Sequence, residues 1–199
     1  MVIENVGSVG NISIDSTIPK IQVKKQWWVL IVIGILVFSI LSRSIWFINF
    51  VHVLGGILWT GTDLFMGFMI GPILRKVDFS TRRNILVRLM PRMLFYMPTL
   101  SIVTVTAGWY MAEWLGFFSL SLPYLWWLIA ALIIVTLLTI QGLGFLLPTN
   151  LKIYFEMRKE SPDGKRIGKL MKNYVRVVAF QGLLQIAIII IMSRFATGL

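Results

Sequence analysis

The sequence predicts an all-α integral membrane protein with five transmembrane helices, and three observations support this fold class. The chain has 199 residues, of which 57% are hydrophobic, and its mean hydropathy is +0.83. Several apolar runs approach or exceed the roughly 20 residues that a helix needs to cross a bilayer. These runs are continuous and lack the alternation of a membrane β-barrel. We expect a four-helix transmembrane bundle preceded by one additional N-terminal transmembrane helix.

The apolar runs divide the chain into a tail, a first span and a core. Residues 1–25 are polar and predict a mobile cytoplasmic tail, residues 26–41 the N-terminal span, and residues 45–195 the four-helix core. The five predicted spans are residues 27–41, 45–73, 92–114, 123–147 and 175–192. We expect Pro91 near the start of the third span, where a missing N–H is tolerated, Pro98 to kink that span, and Pro148 to end the fourth.

The basic residues predict the orientation of these helices. Only Arg43 and Arg194, of 19 lysines and arginines, fall on the side opposite the tail and the two basic loops. The positive-inside rule therefore places the N-terminus in the cytoplasm and the C-terminus outside, in a multi-pass protein of the cell (plasma) membrane. The net charge of +11 comes from these loops, so we expect contact with lipid and none with nucleic acid.

The absence of cysteine and the single histidine exclude several kinds of chemistry. Without cysteine there are no disulfides, thiolate metal sites or cysteine nucleophiles. With one histidine and no cysteine, the sequence argues against both acyl-transfer triads and zinc hydrolysis.

The one histidine belongs to a helical stripe of unusual composition. His52, Gly55, Gly56, Trp59 and Asp63 recur every three or four residues, so they share one face of the second span. A neutral imidazole inside a bundle is a good haem ligand, and the glycines remove bulk beside it. We therefore predict His52 as an axial haem ligand, with a structural hydrogen bond to a neighbouring helix as the alternative. The sixth position would hold Met111, a water, or nothing, or else a second chain would supply its own His52.

Asp63 and three glutamines place further polar groups inside the spans. Asp63 either pairs with an arginine such as Arg88 or Arg92, or acts as a proton-handling carboxylate. In the simplest interpretation the glutamines join neighbouring helices by hydrogen bonds. They are Gln141, Gln181 and Gln185.

A group of methionines gives a second candidate metal site. Five of them fall at a similar depth near the predicted inner ends of the second and third spans, and thioethers are ligands for Cu(I). The alternative is that they fill gaps in the core. These residues are Met66, Met69, Met90, Met93 and Met97.

The stretch "HVLGGILWTG" resembles the opening of the small four-helix CopD-like and HemJ-like membrane proteins. His52, Trp59 and Gly61 match that group's pattern, as do Pro98 and Gly108 in "MPTLSIVTVTAGWY". The similarity covers roughly residues 45–195. In the HemJ-like branch it implies b-type haem at His52 and protoporphyrinogen oxidation, and in the CopD-like branch it implies copper handling.

These observations lead to one main functional hypothesis and two alternatives. The first is a b-type haem protein, acting in electron transfer or as a membrane oxidoreductase beside a quinone or a respiratory-chain protein. Two chains of a homodimer would each supply one His52. The alternatives are a copper permease or copper-handling accessory protein and a cofactor-free structural subunit.

Overall fold

The fold is a set of long helices, as predicted. The computed structural model describes residues 23–159 and 161–198, and it is 89% helical with no strand in that part of the chain. Residues 1–22 of the predicted tail lie outside the described residues. Val23–Gln26 form a short 3-10 helix. The five long helices are α1 (Trp28–Leu41), α2 (Ile45–Lys76), α3 (Phe79–Trp114), α4 (Leu125–Met157) and α5 (Gly164–Ala196). Each, with α1 counted from Lys24, is long and apolar enough to cross a membrane.

The third helix begins much earlier than predicted. It starts at Phe79 rather than at residue 92, because Asp78 caps it by accepting a hydrogen bond from the Thr81 N–H at 2.9 Å. The prediction that Pro91 lies at the start of this helix is wrong, since Pro91 and Pro98 both lie inside it. Only Val77 and Asp78 separate α2 from α3.

The fourth and fifth helices are also longer than predicted. Pro148 does not end α4, which continues to Met157. Asp163 caps α5 by accepting from the N–H groups of Lys165 and Arg166 at 2.9 and 3.1 Å. The basic residues therefore lie mostly on helical extensions rather than in loops. We call the end of the molecule that carries these extensions the basic end.

Two π-helical segments explain why prolines do not break α2 and α4. These segments are Met66–Ile70 and Ile140–Leu146, and each is closely followed by a proline, Pro72 or Pro148. A proline has no N–H to donate and crowds the carbonyl four residues earlier. The wider π turn shifts the hydrogen bonds by one residue, so both helices continue.

Three buried clusters hold the helices together. At the end opposite the basic end, α1 and α2 pack against α3. Near the middle, Trp59 of α2, Leu100 of α3 and Leu138 of α4 form a second cluster. At the basic end the third cluster joins four helices, α2, α3, α4 and α5. Its buried residues are Leu74, Leu86, Val87, Met90, Ile153, Tyr154, Met157 and Ile167.

Polar contacts add to the third cluster. Arg83 of α3 donates to the carbonyl oxygens of Met157 and Lys159 at 2.9 and 3.1 Å. The Glu156 carboxylate lies 2.8 Å from the Lys159 ammonium group and 3.5 Å from the Arg166 guanidinium. The basic end of α3 is thus fixed to the α4–α5 connection.

Candidate functional site

His52 makes a hydrogen bond between two helices. Its Nδ1 lies 2.8 Å from the backbone oxygen of Thr104 on α3. A carbonyl oxygen only accepts, so Nδ1 carries the proton and Nε2 keeps its lone pair. This is the helix–helix bond that the sequence offered as the alternative to haem ligation.

The glycines beside His52 allow α2 and α3 to approach closely. A Cβ added to Gly55 would lie 2.6 Å from the Thr104 hydroxyl, and one added to Gly56 would lie 3.6 Å from the Thr104 methyl group. A Cβ added to Gly108 would lie 2.7 Å from Cε1 of His52. Thr104 therefore fills the space beside the glycines, and these residues do not fit a haem lying between α2 and α3.

The other predicted haem contacts lie in ordinary packing positions. Trp59 is buried in the middle cluster. Met111 packs against the cluster of Val103 and Ala107 near the opposite end. Both residues are thus accounted for by hydrophobic packing.

The five methionines lie in different surroundings. Met90 belongs to the basic-end cluster, and Met97 packs against the middle cluster. Met69 is more than half exposed, whereas Met66 and Met93 line a cleft near the basic end. Among the described residues no group of three or more histidine, aspartate and glutamate side chains is placed to hold a metal ion.

Asp63 is bonded to glutamines instead of arginines. One carboxylate oxygen, Oδ2, accepts from Nε2 of Gln181 at 2.6 Å and from Nε2 of Gln185 at 2.8 Å. These two amides lie one turn apart on α5, so they reach the same carboxylate from one face. Within the described residues Asp63 has no ion pair, and the predicted pairing with Arg88 or Arg92 is not present.

The same glutamines carry buried oxygens without partners. Gln181 and Gln185 are 2% and 1% exposed, and in the described part of the chain no donor bonds to the amide oxygen of either. The amide oxygen of Gln141, in the π segment of α4, is also buried and unpartnered. Such atoms are uncommon in native interiors, and each calls for an explanation.

A cleft near the basic end was not anticipated from the sequence. It lies between the start of α1, the π segment of α2 and the middle of α3, and its volume is about 920 Å³. Among the described residues three cations line it, Lys25, Arg88 and Arg92, and no carboxylate does. The remaining walls are mostly apolar or aromatic. The spacing of Arg88, Arg92 and Tyr96 by four residues gave a partial sequence signal, but α1 completes the cleft and only the fold places it there.

Comparison with known proteins gives no match to a family model, a curated protein or a solved structure. The resemblance to the CopD-like and HemJ-like proteins therefore stays a hypothesis.

Proposed function

We propose that this chain is an integral membrane protein that binds an anionic amphiphile in the cleft near its basic end. The ligand class is a molecule with a phosphate or carboxylate group attached to an apolar body. The observation that carries this proposal is the lining of the cleft by the described residues: three cations, no carboxylate among them, and otherwise largely apolar walls.

The surface of the described helices supports insertion into a membrane. Large apolar side chains are highly exposed along several helices, among them Leu30 at 76%, Phe68 at 77% and Leu183 at 65%. Exposed apolar surface on this scale is unfavourable in water but is what a lipid environment requires. With the positive-inside rule, the basic end faces the cytoplasm and the cleft opens at the inner leaflet.

The distribution of groups in the cleft matches the two parts of an amphiphile. Arginine and lysine bind phosphate and carboxylate groups through charge-assisted hydrogen bonds. Trp28, Phe65 and Tyr96 supply apolar surface for a chain or ring system. A volume of about 920 Å³ lies within the usual range for sites that enclose a small ligand.

The experiment compares lipids of different charge on the purified protein. Native mass spectrometry would measure retention of phosphatidylglycerol, oleate and phosphatidylcholine by wild type and by Arg88→Gln/Arg92→Gln. We expect the two anionic lipids to be retained preferentially, and the double variant to bind them at least about tenfold more weakly, because each lost charge-assisted bond is worth roughly 1.5–3 kcal/mol.

The matched control removes two charges from the same end of the molecule but outside the cleft. Lys169→Gln/Lys172→Gln should leave the retention of anionic lipid close to wild type. Equal retention of neutral and anionic lipid, or an equal loss in both double variants, would contradict a specific site.

A second candidate function is the predicted haem binding at His52, and one observation favours it. Histidines that ligate metals usually donate their other ring N–H to a carbonyl or carboxylate, as His52 does to Thr104. The packing of Thr104 against Gly55 opposes it. The absorption spectrum decides: a Soret band that disappears in His52→Ala would support haem binding, and a colourless protein would exclude it.

A further inference from the structure

We propose that Asp63, Gln181 and Gln185 form a binding site for one monovalent cation, either a proton or an alkali metal ion. This goes beyond amphiphile binding, since the site lies between α2 and α5, on a different helix pair from the cleft. No part of the proposed cleft function is needed for it.

The site lies near the middle of both helices. Asp63 is roughly 27 Å along the axis from Ile45 and roughly 20 Å from Lys76, at 1.5 Å per residue. Gln181 is roughly 26 Å from Gly164 and roughly 23 Å from Ala196 on α5, and Gln185 lies one turn further towards Ala196. In a membrane these positions fall near the bilayer centre, where a charged side chain is costly and usually marks an ion or proton site.

No charge in the described structure balances Asp63. It has no ion pair among those residues, and its two bonding partners are neutral amides. The titratable groups nearby are phenols, which cannot carry a positive charge: Tyr174 of α5, within electrostatic range of the carboxylate, and Tyr96 of α3, bonded to neighbouring Thr62. A buried carboxylate without a counter-charge is unfavourable, so one added positive charge would stabilise the site.

The unpartnered amide oxygens supply the other ligands. In an amide the nitrogen and oxygen lie roughly 2.3 Å apart. Since both amide nitrogens bond to Oδ2 of Asp63, the orphan oxygens of Gln181 and Gln185 lie within roughly 5 Å of it. Rotating an amide by half a turn replaces its N–H donor with a carbonyl oxygen facing the carboxylate. The ligands of this site would all be oxygen atoms, and only one of the groups is a carboxylate. Such a site suits a hard ion of charge +1 or a proton shared between oxygens.

Infrared spectroscopy of the full chain in neutral lipid tests this site directly. A protonated carboxyl group absorbs separately from a carboxylate, so pH difference spectra identify the Asp63 signal as the band missing in Asp63→Asn. Sodium chloride, with choline chloride as the ionic-strength control, is then added at constant pH. Gln181→Leu/Gln185→Leu should shift the titration of this band, and Gln141→Leu should not.

Two outcomes support the proposal and distinguish the ligand. A carboxyl band that titrates with pH and is also removed by sodium but not by choline identifies an alkali ion site. A band that titrates with pH and is insensitive to sodium identifies a proton site. If Asp63 stays ionised from acid to alkaline pH and sodium has no effect, or if the glutamine variant titrates like wild type, the proposal is wrong.

Discussion

At the scale of single residues, His52 shows how one polar side chain fixes the contact between two helices. Its Nδ1–H bonds to the carbonyl oxygen of Thr104, and the ring edge lies against the bare Cα of Gly108. The sequence showed that His52 lies on a helical stripe with glycines. It did not show that a threonine from α3 fills the space beside those glycines.

The contact between His52 and Gly108 predicts the effect of adding one methyl group. In Gly108→Ala the new Cβ would lie 2.7 Å from Cε1 of His52, so the ring must move away and lose its bond to Thr104. We expect a loss of about 1–3 kcal/mol in unfolding free energy, as for other overpacked sites. Denaturant unfolding of the protein in mixed micelles would measure it.

Gly61→Ala is the matched control, because among the described residues no atom of another helix lies within 4 Å of the position of its added Cβ. This substitution should leave stability unchanged or raise it by roughly 0.5–1 kcal/mol through helix propensity. Equal losses in the two variants would show that the packing at His52 is not what determines the cost.

At the scale of helices, capping residues decided boundaries that hydropathy could not locate. The apolar run of α3 starts near residue 92, but Asp78 begins the helix thirteen residues earlier by accepting from the Thr81 N–H. The charged first turns of α3 and α5 are therefore helical because their ends are capped, and not because they are apolar. Hydropathy detects only the part of a helix that is suited to lipid.

The cap on α3 predicts a dependence of stability on pH. Hydrogen bonds from Ser80 and Thr81 hold the pKa of Asp78 well below its usual range. Because the folded-state pKa is lowered, the carboxylate stabilises the fold above its ordinary pKa of about 3.9, and this contribution is lost as the pH falls below that value. Thermal unfolding of wild type at decreasing pH should show this loss.

Asp78→Asn separates the titration from the capping, since asparagine caps helices about as well as aspartate but does not ionise. The variant should lose less stability than wild type on acidification and be close to it at neutral pH. Parallel acid profiles for the two proteins would argue against a contribution from this carboxylate.

At the scale of the whole molecule, the positive-inside rule predicts one orientation in the membrane. The chain has no cysteine, so single cysteines report on each side without background. In intact cells an impermeant maleimide should label Ser119→Cys, in the turn between α3 and α4, but not Lys169→Cys, on the basic end of α5. Lys169→Cys should react only after the cells are permeabilised. The reverse labelling pattern would show that the topology is opposite to the predicted one.

The sequence by itself determined the class of this molecule and the number of its helices. Hydrophobic runs long enough to cross a bilayer leave few alternatives to helices, since every backbone polar group must then be satisfied within its own segment. The same runs identified Asp63 and the glutamines as polar groups in an apolar setting.

Only the tertiary structure decided which of these groups meet. Asp63 and Gln181 are 118 residues apart in the sequence, and the cleft takes its cations from the 3-10 helix before α1 and from α3. Helical periodicity assigns a residue to a face of its own helix but does not say which helix covers that face. That choice depends on side-chain packing between helices, such as that of Thr104 against Gly55.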